Sequence, residues 1–423
     1  MSGQITSNVF RGSGVIAATA GGLNWVSTVV TASTLTAEAG NGYWINTTSN
    51  TCTITLPSSA EVGDQLVFID YARTWGTNMI IIDSNGLNYQ GDPDTYPVEY
   101  STDGETLNIV YVDATKGWVP LNDDDVTDVP VAPPTQKAIF GYGYTSGVVS
   151  MTNLCNSSGV IATDVTGVGT ARRRLAAAGY GGDKAIFAYG FTTGDVSMSN
   201  LVSSSGVVAS DTTGVGSARD GLAATTYGAD KAIFAYGATS GNVSLSNLCN
   251  NSGVIATDVT GVGTARQALA AASYGVGLAI FGFGAAGPKV SMSNLVSNSG
   301  VVASDVTGVG TAREQLAATS YGVGLAIFAY GDTGSSYVNT RNLISNTGVV
   351  ASDASGAGSI RIYPAAAPYG GDKAIFAYGY SSGAGAIVSL SNLVNNVGVV
   401  SADVTGVGTA RQNLAAAGYS TSA

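Results

Sequence analysis

One apolar stretch is written six times in this chain of 423 residues. DKAIFAYG stands unchanged at Asp183–Gly190, Asp230–Gly237 and Asp372–Gly379, with QKAIFGYG at Gln136–Gly143, LAIFGFG at Leu278–Gly284 and LAIFAYG at Leu325–Gly331. The units start at Lys137, Lys184, Lys231, Leu278, Leu325 and Lys373, so the spacing is 47 residues four times and then 48. A fixed period of this length marks a solenoid, propeller or array, in which each unit buries its apolar faces against its neighbours.

Within a unit the order is KAIFAYG, a turn, VSMSNLV, a turn, GVVASDVTG and then GTARxxLAAAGY. These are four short runs rich in Val, Ile, Ala and aromatics, punctuated by Gly, Ser, Asn and Asp, and none has helical period. Four strands per unit and six units predict a six-bladed β-propeller. A strand covered on both faces by neighbouring blades explains why AIFAYG is continuously apolar rather than alternating. The small side chains of LAAAGY suit an innermost strand. In this register the first unit lacks an innermost strand before Lys137 and the last leaves a surplus one at Arg411–Tyr419. The C-terminal strand is therefore expected to complete the first blade, since an unclosed circle would expose two sheet edges.

Read from its arginine, the unit is GTARRRLAAAGYGGDKAIFAYG at Gly169–Gly190 followed by VSMSNLVSSSGVVASD. It resembles the kelch repeat, which likewise has an arginine, a small apolar strand, an aromatic-rich strand ending in glycine and two outer strands. Here Gly-Tyr-Gly or Ala-Tyr-Gly replaces the glycine pair, and the outer-strand tryptophan is absent. The resemblance implies architecture and no activity.

Composition narrows the chemistry. The chain has no histidine, which removes His-based acid–base catalysis, Ser-His-Asp triads and most zinc, copper and haem sites. A net charge of −11 argues against nucleic acid, whose phosphates need clustered Lys and Arg. Cys52, Cys155 and Cys249 have no metal-ligand spacing; the last two occupy the same position in different units and are expected apart, unpaired and buried. The opening residues lack a basic segment followed by an apolar core, and no run approaches a membrane span, so neither a signal peptide nor membrane insertion is expected.

All four tryptophans precede residue 119 and all six units follow residue 136. The chain therefore divides into an N-terminal arm (1–35), a β-rich structural and oligomerisation domain (36–121), an acidic Pro-rich linker (122–136) and the repeats (137–423). The linker's Asp123, Asp124 and Asp125 lack the glycine and distal glutamate of a calcium loop. In the second segment the alternation of TCTITLP, the run QLVFIDY and the turn at SNG predict a compact antiparallel, sandwich-like domain. Trp44, Trp75 and Trp118 read as core or subunit-interface residues rather than a sugar platform.

The stretch NTTSNTCTITLPSSAEVGDQLVFIDYARTWGTN, followed by LNIVYVDATKGW, resembles a module of tail fibres and related virion proteins of tailed phages, particularly those of marine cyanobacteria. The likeness covers about 80 residues and rests on the LP, GD, DYA and KGW positions. It implies a homotrimer held to other virion proteins through the N-terminal domain, with the arm ordering against a virion partner. It also implies a place on the tail or head surface after assembly in the host cytoplasm, and no catalytic residues.

Two sets of polar residues recur at one position per unit: Arg172, Arg219, Arg266, Arg313, Arg361 and Arg411, and, eight residues earlier in each, Asp164, Asp211, Asp258, Asp305, Asp353 and Asp403. A cationic rim for anionic sugar is one reading. The favoured one has each arginine bonding backbone carbonyls and that aspartate between strands, since one binding site seldom needs sixfold identity. VASDVTGVGTA faintly echoes the Asp-box of sialidases, but those enzymes use unlike residues from different blades. Real variation lies in the turns after KAIFAYG: YTSGVV, FTTGDV, ATSGNV, AAGPKV, DTGSSYV and YSSGAGAIV. These turns, with Thr145, Thr192, Thr239, Lys289, Tyr337 and Ser382, are the candidate recognition loops, sharing one rim with the loops that carry the arginines. The expectation is a non-enzymatic tail fibre or appendage subunit that recognises a host-surface glycan or protein, with no cofactor and no metal. The alternatives are a capsid decoration or vertex fibre protein and a glycan-binding or glycan-cleaving propeller.

Overall fold

The computed structural model describes residues 23–91, 98–121 and 135–422, so all of the linker but Thr135 and Gln136 and most of the N-terminal arm lie outside the described residues. Among the described residues every regular element is a β-strand, and no helix is long and apolar enough to cross a membrane. The chain divides into two compact units, residues 1–132 and 133–423.

The N-terminal unit contains β1 (Asn24–Trp25), β2 (Thr34–Thr36), β3 (Asn41–Ile45), β4 (Cys52–Thr55), β5 (Gln65–Asp70), β6 (Ile80–Asp83), β7 (Val98–Tyr100), β8 (Thr106–Asp113) and β9 (Gly117–Pro120). They form two sheets, β1-β3-β5-β8-β9 and β2-β4-β6-β7. The expected antiparallel arrangement is corrected here: β1, β3 and β5 run parallel, as do β2, β4 and β6, and only the pairs β5–β8, β8–β9 and β6–β7 are antiparallel. Up to β6 the chain crosses to the other sheet after every strand, so a strand's neighbour is the one two ahead, entered in the same direction. Alternation in the sequence fixes which side chains point inward, such as Cys52 and Ile54 of β4, but not the partner strand. The arm's described residues include β1 and the start of β2, which belong to these sheets.

The core joins Ile45, Ile54, Leu56, Phe68, Trp75, Ile82 and Trp118. Trp75 and Trp118 are fully buried, whereas Trp44 is half-buried and stacks on the exposed Trp25 at 4.8 Å. The Asp70 carboxylate accepts the backbone N–H groups of Thr74, Trp75 and Gly104, which folds the DYA loop back on itself. Gly117, in the KGW motif, has φ +67, and a Cβ there would sit 1.6 Å from the carbonyl oxygen of Asn88. We expect Gly117→Ala to destabilise the N-terminal unit by at least about 2 kcal/mol, read as a shift in its urea midpoint, because both the clash and the left-handed backbone penalise a side chain.

The C-terminal unit is built of six three-stranded antiparallel sheets and one small extra sheet. In the second sheet Ala176–Tyr180 pairs with Lys184–Ala188, which pairs with Ser199–Val202. Sheets three to six repeat this with middle strands Lys231–Ala235, Leu278–Gly282, Leu325–Asp332 and Lys373–Ala377. The first sheet is assembled from both ends of the unit: Lys137–Gly141 lies between Thr152–Cys155 and the C-terminal strand Ala415–Tyr419, with Lys137 opposite Tyr419. The extra sheet pairs Arg361–Ile362 of the arginine loop with Tyr380–Ser381 and Ala386–Ile387 of the longer turn of the last unit.

Successive residues of a middle strand serve different cores. Phe187 packs with Ile139 of the first sheet, while Ile186 packs with Phe234 of the third. Each sheet shares such a cluster with the next, and the sixth shares one with the first through Ile375 and Phe140. This covers both faces of AIFAYG. The strands of LAAAGY type converge on one cavity of about 80 Å³, lined by Ala177, Ala224, Ala271, Ala318, Ala366 and Ala416.

The expected fourth strand is reduced to isolated bridges such as Thr152↔Val165 and Cys155↔Ile161. The cause is a bulge: Ala162 N–H donates to the Leu154 carbonyl and Val165 N–H to that of Thr152, leaving one residue too many opposite Asn153. The Asn153 amide fills the gap by donating to the Ala162 carbonyl and the Asp164 carboxylate. The same asparagine recurs at positions 200, 247, 294, 342 and 392. Cys52, Cys155 and Cys249 are buried and unpaired, and burial pushes the Cys155 and Cys249 thiols up to about 12.

Candidate recognition surface

The repeated arginines are interior groups. All six are fully buried. Arg172 donates from Nε to the Tyr189 carbonyl, from Nη1 to that of Thr170, and from Nη2 to those of Phe187 and the Asn200 side chain, while its guanidinium lies 4.3 Å from the Tyr142 ring of the preceding sheet. The geometry depends on an uncommon backbone. Tyr142, Tyr189, Tyr236, Phe283, Tyr330 and Tyr378 all have φ between 61° and 67°. That conformation is costly for an aromatic residue, and here it aims the carbonyl at the arginine and the ring into the next interface. The glycine that follows is required as well, since a Cβ on Gly190 would meet the Arg173 carbonyl at 2.8 Å.

The aspartate eight residues upstream is not the arginine's partner. Arg172 faces Asp211 at 4.0 Å, Arg219 faces Asp258, Arg266 faces Asp305, Arg313 faces Asp353, and Arg411 faces Asp164. Each pair spans one sheet from the loop before its inner strand to its bulged outer run; sequence proximity misleads because the intervening turn passes to the next sheet. Asp211 also accepts from the Thr170 N–H and hydroxyl, the latter at 2.6 Å. Arg361 departs from the pattern: it donates to Leu390 and Asn392, and its Nε has no partner. Burial lowers Arg313 to about 10, still charged at neutral pH.

Burial opposes ionisation of the six aspartates, but hydrogen bonds from Thr or Ser and Asn, with the arginine charge, outweigh it and hold every one below the usual 3.8. A carboxyl with a lowered folded-state pKa stabilises the fold above its unfolded value and loses that contribution as pH falls through the folded one. The guanidinium-chloride midpoint should therefore be flat from neutral pH to about 5 and drop below about 4. Asp211→Asn should lower the midpoint at pH 7 and make the acid drop shallower. A midpoint unchanged down to pH 3 would contradict this account.

The variable turns do share one rim with the arginine loops, through the bridges Tyr144↔Gln412, Arg173↔Phe191, Asp220↔Ala238, Gln267↔Ala285 and Glu314↔Asp332. The hydroxyls of Thr145, Thr192 and Thr239 donate to carbonyls within their own turns. Lys289 is held by Asp332 at 2.5 Å and Glu314 at 3.2 Å, tying the fourth sheet to the fifth. Tyr337 stands edge-on to Tyr380 at 6.3 Å, and Ser382 lies in the longest turn, its carbonyl accepting from Gly385.

A set of residues not singled out from the sequence comes together beside these turns. The second residue after each repeated arginine is Arg174, Gly221, Ala268, Gln315, Tyr363 or Asn413, and all six have φ between 54° and 61°. Their backbones are chained: Arg174 N–H donates to Asn413, Gly221 to Arg174, Ala268 to Gly221, Gln315 to Ala268 and Tyr363 to Gln315, at 2.8–3.0 Å. They surround an open depression of about 90 Å³ whose remaining lining is Leu175, Leu222, Leu269, Leu316, Pro364 and Leu414. The signal was present in the sequence: these are the variable positions inside an otherwise constant segment.

Among the described residues no group of His, Cys, Asp and Glu has the arrangement of a metal site. No protein-family model and no curated protein sequence matches the chain.

Proposed function

We propose that the chain is a non-enzymatic structural and recognition protein of a tailed-phage virion, a tail-fibre or appendage subunit. In this reading the C-terminal unit is a six-bladed kelch-like β-propeller completed by the C-terminal strand. The N-terminal unit joins other virion proteins, as a homotrimer. One observation carries the recognition role: the sixfold polar residues are consumed by internal bonds, whereas side chains that differ from unit to unit gather on one rim. A uniform scaffold with diversified loops suits partner binding better than catalysis, which needs unlike groups converging on one reacting bond. The pairing of Ala415–Tyr419 with Lys137–Gly141 and the cyclic succession of shared cores support the propeller. The virion assignment rests on the likeness of residues 46–118 to the phage module.

The test has two arms. Antibody against the chain, gold-labelled on particles of the phage that encodes it, is expected to decorate tail appendages; label on the head would assign a decoration protein instead, and no label on particles would overturn the virion assignment. Purified chain is expected to reduce phage adsorption to host cells, and undiminished adsorption at saturating chain would overturn the recognition role.

A further inference from the structure

We propose that the depression ringed by Arg174, Gly221, Ala268, Gln315, Tyr363 and Asn413 binds one neutral sugar ring, the terminal unit of a surface glycan. This deepens the recognition reading above and rests on it for the biological source of the sugar.

Three features of the site select that chemistry. Its floor is apolar, five leucines and Pro364, which suits the C–H face of a pyranose. Its wall carries the amides of Gln315 and Asn413 and the phenol of Tyr363, and none of these side-chain groups makes a hydrogen bond among the described residues. Each offers both donor and acceptor, the complement of a hydroxyl, and each loses part of its hydration in a half-buried position. The site's charge is already committed. Arg174, the one cationic side chain lining the depression, reaches past Gly221 and Ala268 to Asp220 at 3.0 Å and Gln267 at 3.4 Å. Burial chiefly raises the Tyr363 pKa, the nearby Arg174 charge pulls it down, and Glu314 and Asp332 push it up by less. An anionic ligand would find the one lining cation already paired with Asp220, so a neutral polyhydroxyl ligand is favoured over a uronic or sialic acid. The depression of about 90 Å³ is open to solvent, so a ring seated in it leaves the rest of a glycan outside.

Saturation-transfer NMR on the full chain tests this with methyl glycosides of glucose, galactose, mannose and N-acetylglucosamine, and with methyl glucuronoside as the anion. At least one neutral glycoside should receive signal and the glucuronoside should not. Ala268→Tyr should abolish transfer by filling the site; Tyr363 has the same backbone conformation at the equivalent position, so the fold accommodates it. The double change Gln315→Ala with Asn413→Ala should weaken binding about tenfold or more and keeps the test decisive if Ala268→Tyr melts early. No transfer to any neutral glycoside, transfer that survives both variants, or binding of the glucuronoside alone would overturn the proposal. The adsorption assay separates it from the reading it rests on. If wild type and Ala268→Tyr block adsorption equally, recognition stands and this site falls. If neither blocks while sugar binding is lost in Ala268→Tyr, the site stands and the host-recognition role falls.

Discussion

Truncation after Ala410 should leave a C-terminal unit that no longer unfolds cooperatively and that aggregates on purification. The missing segment supplies the strand opposite Lys137–Gly141, the buried side chains Leu414 and Tyr419, and the guanidinium that reaches the Tyr142 carbonyl and Asp164. Burying Leu414 and Tyr419 alone is worth about 3–5 kcal/mol, a large fraction of the roughly 5–15 kcal/mol that holds a domain folded. The exposed edge of Lys137–Gly141 then becomes a template for pairing with other chains. Restoring residues 411–420 by inserting them directly before Thr135 in the truncated chain should recover solubility, because Ser420 and Gln136 are already bonded neighbours, Gln136 N–H to the Ser420 carbonyl at 2.7 Å. Size-exclusion chromatography and limited proteolysis read both outcomes; a truncated chain that stays monomeric and protease-resistant would refute the role given to the C-terminal strand.

The second large effect is expected at the buried arginines. Arg219→Ala should destabilise the C-terminal unit by about 3–5 kcal/mol in a urea titration. It strands the carbonyls of Ser217, Phe234 and Tyr236 and the Asn247 side chain, all of which the guanidinium now satisfies, and it removes the cation 3.9 Å from Asp258. Lysine does not rescue it, since one ammonium cannot address acceptors arranged for a planar fork. Arg361 provides the internal comparison. It donates to two acceptors with Nε bare, so Arg361→Lys should cost about 1–3 kcal/mol less than Arg219→Lys. Equal costs would mean that the bond count does not set the energetics of this position.

Much of the C-terminal unit is legible in its sequence. The period locates all six middle strands, the unbroken apolarity of AIFAYG announces two covered faces, and the missing first and surplus last LAAAGY strand imply that the two ends of the repeat region pair. These inferences succeed because they concern which surfaces must be buried, and burial is written in residue type. The bulge opposite Asn153 is not legible, because an asparagine reads equally as a turn former; its amide becomes a structural plug only when the facing run carries one residue too many.

The N-terminal unit shows the same limit in another form. Its strands are recognisable from alternation, but their pairing is not, because a strand that buries one face reads alike beside a parallel or an antiparallel neighbour. Crossing from sheet to sheet after each of the first five strands is decided by the connections, and these are too short of distinctive residues to declare it.

For the recognition surface the division is sharpest at the arginine loop. The sequence alone indicated that Arg172 and its five counterparts share a structural role, which Arg361 fills with fewer bonds, and that binding differences must sit elsewhere. Only the tertiary structure decided that Arg172 faces Asp211 in the following unit's stretch of sequence, that Arg411 faces Asp164 back in the first unit, and that the two variable residues after each arginine face the turns and a shared depression. The reason is geometric. A side chain's chemistry is local and survives translation along the chain, but convergence of six loops depends on the summed twist and packing of every sheet between them, which no single stretch of sequence encodes.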